Sequence, residues 1–270
     1  MTVTETGSDT ERAAPEAGAG LYEGLLRGLL AEGAMHPDDT VLVQFAGAFD
    51  REVTARVGLA NATFVNLAPD SPSSRLPDAV TGDAHAMGLP DGAFDHVIGH
   101  AGLHHCSRPH QALHEMYRIA AKTVVAVENQ DSPLMRAACR FGLAGVYEHD
   151  AVRDGGGTTG GVDGTGIPNH VYRWTRREVT KTIRTFDPGH DVPVEFHAHW
   201  LVGPDRALTR GMRTVLGDAG GSGRLRGGLA GGLNLALNTV ARRQGNIFGF
   251  VVRKDLARPQ PWIPAIGTTA

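Results

Sequence analysis

Histidines are the most conspicuous residues with chemical potential in this chain. Six of its 13 histidines lie between positions 96 and 114, in a chain of 270 residues. One run, H-x3-HHC, contains His100, His104, His105 and Cys106. Imidazole and thiolate bind zinc, but a single run lacks the second, separately spaced ligand pair of a specific zinc motif. We therefore expect no metal, and the three histidines are candidate general bases, with strand-end packing as the alternative.

A carboxylate and an amide follow the β-type run TVVAV at 123–127. Glu128 is a candidate catalytic residue, because a carboxylate there orients a hydroxyl or amine nucleophile. The alternative is a partner for the N-terminus of the helix that is predicted after Ser132. Asn129, its neighbour, is a candidate substrate ligand.

Three further candidates for substrate binding follow a glycine-rich stretch: His170, Tyr172 and Arg173. Polar and aromatic groups at this place are suited to close over an acceptor. The alternative is plain packing of Tyr172 and an ion pair of Arg173.

The elements that must position these residues alternate from residue 40 onward. TVLVQF, ATFVNL, DAVTG, FDHVIGH and TVVAVE have the pattern of strands, and helical segments separate several of them. This alternation predicts a parallel sheet with helices on both faces. Ser132 with Pro133 indicates a helix start, and TRRE at 175–178 is a capping box. The candidate residues then follow strand ends, where ligands bind in such sheets.

The chain divides by composition into a central domain and two tails. Residues 1–19 are polar and aperiodic, which predicts a disordered tail. The domain is predicted over 20–255, and a second tail over 256–270. Within the domain, the glycine-rich segment 155–166 is expected to be a mobile lid, and 203–245 a helical insertion broken by glycines.

Charge and hydropathy exclude several classes of partner. The net charge is −3 and the pI is about 6.5, without any long basic run, so nucleic acid is not expected. Membrane association and secretion are not expected either, because the chain lacks a long apolar stretch and the pattern of a signal peptide. We expect a cytoplasmic protein; the sequence does not indicate its oligomeric state.

The longest informative segment is GDAHAMGLPDGAFDHVIGHAGLHHCSRPHQALHEMYRIA at 82–120. It combines an acidic-Ala pair, an LP-DG-FD turn, a strand, LHH and an amphipathic helix. This order resembles the class I S-adenosylmethionine (SAM)-dependent methyltransferases of the type-11 kind, over residues 38–200 and again over 247–254. The resemblance implies an α/β fold, a doubly wound and mainly parallel seven-stranded Rossmann-like sheet, with SAM as cofactor.

The resemblance also implies a set of cofactor-binding residues. The turn after the first strand supplies Ala46, Gly47, Ala48, Phe49 and Asp50. This turn departs from the family pattern, because Val43 takes its acidic position and Phe45 and Phe49 take two glycine positions. A phenyl ring occupies space that glycine leaves open.

The next two strands complete that set with Asn66, Leu67, Asp83 and Ala84. Asn66 aligns with the acidic residue that binds the ribose hydroxyls of SAM in the family, and it lacks the charge that strengthens such bonds. Asp83 and Ala84 agree with the family pattern at the adenine edge.

The function implied is methyl transfer from SAM to a small acceptor, such as a sugar or secondary metabolite. Most of the rate enhancement would come from positioning, with a histidine removing a proton as needed. The altered first turn keeps two alternatives open: a non-methylating step such as cyclisation or elimination, and a non-catalytic binding protein with a decayed SAM site.

Overall fold

A computed structural model of the chain describes residues 19–71, 74–189, 191–203 and 223–254. Three parts of the predicted organisation therefore lie outside the described residues: 1–18 of the first tail, 204–222 of the helical insertion and the tail 256–270.

Seven strands form one sheet in the order β3-β2-β1-β4-β5-β7-β6. They are β1 (Val41–Gln44), β2 (Ala62–Asn66), β3 (Val80–Thr81), β4 (Phe94–His100), β5 (Ala120–Asn129), β6 (Glu195–His199) and β7 (Ile247–Arg253). β1 to β5 are parallel, whereas β7 is antiparallel to both of its neighbours, β5 and β6. This sheet confirms the prediction of a doubly wound, mainly parallel seven-stranded fold.

Seven α-helices are described: α1 (Ala19–Ala31), α2 (Ala48–Val57), α3 (Pro109–Ile119), α4 (Pro133–Arg140), α5 (His149–Asp154), α6 (Arg176–Phe186) and α7 (Gly223–Val240). Two predicted helix starts are confirmed. Ser132 caps α4 by accepting a hydrogen bond from the Met135 amide, and Thr175 and Glu178 form a capping box at α6. No helix in these ranges is both long and apolar enough to cross a bilayer.

Strand residues alternate between two apolar layers, one on each face of the sheet. Leu42 belongs to the layer that contains residues of α3 and α6, whereas its neighbours Val41 and Val43 belong to the layer beneath α1 and α2. Helices therefore cover both faces. The polar residues at the strand ends are left to form a site at the edge of the sheet.

The strand order reverses between β1 and β4. From β1 the chain proceeds outward through β2 and β3, and it then returns to place β4 and β5 on the other side of β1. Consecutive connections leave in opposite directions at this point, which opens a crevice at the carboxyl ends of the two strands.

Candidate active site

A cavity of about 300 Å³ occupies this crevice. That volume lies at the lower end of the ~300–1,000 Å³ that is usual for small-molecule sites. Its wall includes eight of the predicted site residues: Gly47, Asp50, Asn66, Leu67, Asp83, Ala84, His100 and His105. Ala46, Ala48 and Phe49 of the predicted first turn are not among the lining residues.

The phenyl ring of Phe45 fits into the first turn because two glycines make room for it. Phe45 has a φ of 60°, in the left-handed region where glycine is the usual residue. Its ring lies against Gly99 and Gly102, and a Cβ on Gly102 would overlap it. The ring therefore forms part of the cavity wall without filling the cavity.

Phe49 supports a cavity residue. The buried ring of His100 stacks on Tyr22 of α1, with 5.2 Å between ring centroids, and lies 5.1 Å from the Phe49 ring. Tyr22 is fully buried, and burial together with the nearby charge of Asp50 raises the pKa of its phenol. His100 is thus held in an aromatic environment as it reaches the cavity.

Asn66 makes two hydrogen bonds to backbone, one of which an acidic residue could not make. Its amide nitrogen donates to the Ala46 carbonyl at 2.8 Å, and its amide oxygen accepts from the Ala68 amide at 2.9 Å. A carboxylate has no donor for the Ala46 carbonyl. Asparagine therefore ties the turn after β1 to the end of β2.

Asp83 lies at the end of β3 and is paired with a histidine that the sequence analysis missed. Its Oδ1 accepts from the backbone amide of His85 at 2.9 Å and lies 2.7 Å from Nδ1 of the same residue. Nε2 of His85 accepts from the Arg108 amide, which leaves the ring proton on Nδ1 to donate to Asp83. The backbone bond, together with the imidazole bond, lowers the pKa of Asp83.

Gln44 is a second residue that the sequence analysis missed. It is the last residue of β1, only 1% exposed, and it lines the cavity. Neither atom of its amide group has a hydrogen-bond partner within the described residues. A buried amide without partners costs free energy, and a ligand in the cavity would supply them. The signal in the sequence was a polar residue ending the apolar run VLVQ.

His104 lies between two carboxylates beside the cavity. Its Nδ1 is 2.7 Å from Oε2 of Glu128, and its Nε2 is 3.3 Å from Oε2 of Glu148. The other oxygen of Glu128 accepts from the amides of Gly102 and Leu103 at 2.9 and 2.7 Å. Glu128 therefore holds the turn after β4 to the end of β5, and it is buried.

The two adjacent histidines differ in protonation. Burial by itself lowers the pKa of His104, but the charges of Glu128 and Glu148 outweigh it and raise the pKa to about 10. Burial, together with the charge of His104, lowers the pKa of His105 to about 4. A protonated His104 is a donor at neutral pH and not the predicted general base, whereas His105 is neutral and lines the cavity.

The same surroundings shift the pKa values of two other ionisable groups beside the cavity. Burial opposes ionisation of Glu148, but the hydrogen bond from His104 lowers its pKa to about 2. Burial raises the pKa of the Cys106 thiol, so it is protonated and a poor nucleophile. Cys106 and Cys139 are both free thiols.

The glycine-rich segment 155–166 covers one side of the cavity. Gly160, Gly161, Asp163 and Gly164 line it, and the Asp163 carboxylate accepts from the Ser107 amide at 2.9 Å. A Cβ on Gly161 would overlap the Ile167 carbonyl. Close backbone contact thus explains a glycine that the sequence analysis attributed to flexibility; the mobility of the lid stays a prediction.

The four predicted substrate ligands lie away from the cavity wall. The Asn129 carbonyl accepts from the Trp174 amide, and the Arg173 guanidinium donates to the Gly145 carbonyl. Tyr172 donates to Glu178 of α6, and His170 is exposed and packs on Tyr147.

Asn169, the residue before His170, does contact His104 and Glu148. Its amide nitrogen donates to the His104 carbonyl at 3.3 Å and to Glu148 at 3.2 Å. No pattern in the sequence points to Glu148 or Asn169, because neither is near His104 along the chain.

The methyltransferase domain family matches the part of the chain that forms this site. The matched residues are 47–127, which run from the start of α2 to the end of β5. Residues 47–127 are a methyltransferase domain. The predicted membership of the class I methyltransferases, and with it an enzyme, is thereby confirmed for the domain that forms most of the cavity wall.

Solved structures similar to the methyltransferase domain and its flanking elements share little sequence with this chain. A SAM-dependent methyltransferase from Archaeoglobus fulgidus is 13% identical, with 87% of this chain and 97% of that one covered and a TM-score of 0.49. A putative methyltransferase from Bacillus halodurans is 16% identical (85% and 98% covered, TM-score 0.47). Phosphoethanolamine N-methyltransferase 2 from Haemonchus contortus, in complex with SAM, is 15% identical (86% and 52% covered, TM-score 0.47). No curated protein matches the chain in sequence.

Proposed function

We propose that this chain transfers a methyl group from SAM to a small-molecule acceptor, such as a sugar or a secondary metabolite. The match of residues 47–127 to the methyltransferase domain supports the reaction class. The cavity of about 300 Å³, with the lid along one side, supports a small acceptor. When bound, SAM supplies an electrophilic methyl group on sulfur.

The buried amide of Gln44 carries this proposal. Gln44 lines a cavity at the strand-order reversal, and no described residue forms a hydrogen bond with its amide group. A bound molecule with both a donor and an acceptor, such as the amino acid portion of SAM, would remove this deficit. A ligand in the cavity would thus satisfy this amide, and the family match supports SAM as that ligand.

Other wall residues fit the remaining parts of SAM. Gly47, the N-cap of α2, lines the cavity without a side chain, and a Cβ at this position would lie only 3.2 Å from the Ser74 carbonyl oxygen. The half-exposed carboxylate of Asp83 is available to an exocyclic amine. Asn66 offers less to a ribose, because its amide already bonds to backbone.

The acceptor side of the cavity is the end of β4. His100 and His105 line it, and they remain the candidate residues for removing a proton from the acceptor. Alignment of the acceptor with the methyl group is the larger contribution, because methyl transfer is a direct displacement.

Calorimetric titration with SAM tests the proposal. Gln44→Leu should weaken SAM binding at least about tenfold, or ~1.4 kcal/mol. Its free energy of unfolding should not fall, because leucine removes an unsatisfied amide. Gln130→Leu is the matched control: Gln130 is also buried, but its amide donates to the Arg243 carbonyl and does not line the cavity. Unchanged SAM affinity is expected there.

Absence of SAM binding at millimolar concentration in the folded wild-type protein would overturn the proposal. The second candidate function, a non-methylating reaction in the same cavity, would then gain. Phe45 in the first turn and the engaged amide of Asn66 are the observations that favour it.

A further inference from the structure

Three side chains beside the cavity present metal-ligating atoms to one another. His104, His105 and Glu148 each offer one such atom, and these atoms all lie within 4.8 Å of one another. Nε2 of His104 and Nε2 of His105 are each 3.3 Å from the same oxygen, Oε2 of Glu148. We infer that His104, His105 and Glu148 bind a divalent transition-metal ion, with Zn²⁺ as the best match.

The distances fit a tetrahedral ion. Zinc binds imidazole nitrogen and carboxylate oxygen at ~2.0–2.2 Å, so two ligand atoms of a tetrahedral site lie ~3.3–3.5 Å apart. Two of the three ligand separations, those from Glu148 Oε2, have this value, and the separation between the two imidazole nitrogens is within 4.8 Å. Two imidazoles and a carboxylate also match the three-ligand sets of catalytic zinc sites.

The surroundings of these ligands resemble the outer shell of a metal site. A metal-binding histidine usually gives its second nitrogen to a carboxylate, which fixes the ring orientation. Nδ1 of His104 lies 2.7 Å from Glu128, whose other oxygen is held by two backbone amides. The amide of Asn169 donates to the ligating oxygen of Glu148.

The charge of the surrounding carboxylates and the solvent exposure of the ligands also fit a metal site. Glu128 and Glu148 both contact His104, and a divalent ion that displaced the proton of His104 would balance their two negative charges. His105 and Glu148 are 30% and 35% exposed, and His105 lines the cavity. In the sequence analysis, His100 and Cys106 were the other possible metal ligands beside His104 and His105, and no metal was expected. Glu148 takes their place in the structure, 43 residues beyond His105 along the chain.

Three protein ligands leave a fourth position for an oxygen from water or substrate. If this inference is combined with the proposed function, on which it rests, the methyl acceptor is an oxygen. A hydroxyl group of the acceptor would occupy the fourth position, and the ion would lower its pKa. The oxygen–methyl bond would form as the sulfur–methyl bond of SAM breaks, and the electron pair would stay on sulfur. With the ion bound, His105 is a ligand and no longer a candidate base, so the hydroxyl proton would pass to solvent.

Titration of the full-length protein with Co²⁺ tests the site without any assay of activity. We expect one Co²⁺ per chain, with the intense visible absorption of tetrahedral coordination, and its displacement by Zn²⁺. Glu148→Gln and His105→Asn should weaken Co²⁺ binding at least about tenfold. Both residues are partly exposed, so these variants should fold, which thermal unfolding will check.

His197→Asn is the matched control, since His197 lies 4.0 Å from Glu195 in an exposed pair away from the cavity. Its Co²⁺ affinity should equal that of the wild type. Absence of binding at millimolar Co²⁺, or binding that the two ligand variants leave unchanged, would overturn the inference. SAM titration of metal-free protein separates the two proposals, because SAM binding does not require these three ligands.

Discussion

The two ends of the sheet both collect ionisable side chains, but they arrange them differently. At the amino end, Asp39 and Asp95 both contact Lys122, at 2.9 and 3.0 Å, and His96 lies 3.0 Å from Asp39. None of these four lines the cavity. They connect the chain before β1 to β4 and β5, so their charges and hydrogen bonds stabilise the fold.

At the carboxyl end, the ionisable groups border a cavity. His100 and His105 line it, and Glu128 and Glu148 hold His104 beside it. β4 contributes to both ends, through His96 and His100. Histidine content alone therefore does not distinguish structure from function; what distinguishes them is the empty volume next to the ring and the strand-order reversal that creates it.

The largest expected effect comes from removing the carboxylate that organises the carboxyl end. Glu128→Ala leaves two backbone amides and His104 without their acceptor, so the free energy of unfolding should fall by ~3–5 kcal/mol. Urea unfolding measures it. Glu32→Ala, which removes an exposed partner of Arg253, should cost at most ~1 kcal/mol. Equal losses in the two variants would show that the carboxyl end has no special dependence on Glu128.

The next effect concerns the lid. A Cβ on Gly161 would overlap the Ile167 carbonyl although Gly161 has an ordinary φ of −95°, so Gly161→Ala should cost ~1–3 kcal/mol by overpacking. Amide exchange over 155–166 should accelerate. Gly157→Ala is the control for strain alone, since Gly157 has a φ of 80° and open space around it. Unaltered exchange in Gly161→Ala would contradict the close packing.

A smaller effect tests the β3 end of the cavity. Asp83→Ala should weaken SAM binding about tenfold, ~1.4 kcal/mol, through loss of a charged acceptor. Calorimetry on Asp78→Ala provides the comparison, because Asp78 is also exposed and pairs with Arg51 outside the cavity. If both variants bind SAM like the wild type, Asp83 has no part in the cofactor site.

The smallest effect should come from the amino end and should depend on pH. Burial lowers the pKa of His96 despite Asp39, so the unfolded chain binds this proton more readily. Stability should therefore decline as pH falls below the unfolded pKa of about 6.5. The pKa of Asp39 is also lowered, because bonds from His96 and Lys122 outweigh its burial, and the stability it contributes is lost below about pH 4.

Urea unfolding of His96→Gln between pH 5 and 7 isolates the histidine's share. Its stability should vary less with pH across that window than the wild type's. A wild-type stability that rises on acidification there would show that His96 is protonated in the folded protein.

The sheet was predictable because its signals are local. Each strand is a short apolar run, and the alternation with helical segments fixes parallel connections, so the position of His100 and Asp83 at strand ends followed. The caps at Ser132 and Thr175 depend on residues only three positions apart. Such features need no knowledge of distant parts of the chain.

The partners within the site were not predictable in the same way. Glu148 and Asn169 reach His104 through loops whose path no periodicity encodes, and the pKa of His104 depends on that contact. The role of Gly161 was not predictable for a related reason, because both flexibility and close packing favour glycine. Only the position of the Ile167 carbonyl shows that close packing applies at Gly161.

The bond from the Ser107 amide to Asp163 also bears on how quickly the cavity exchanges its contents. The lid residue Asp163 accepts this bond next to the start of α3, so a lid that moves away from α3 must first break it. An exposed hydrogen bond contributes ~0.5–1.5 kcal/mol, which would lower the open population by up to about tenfold. The lifetime of a bound molecule is then set in part by Asp163, a residue that need not touch it.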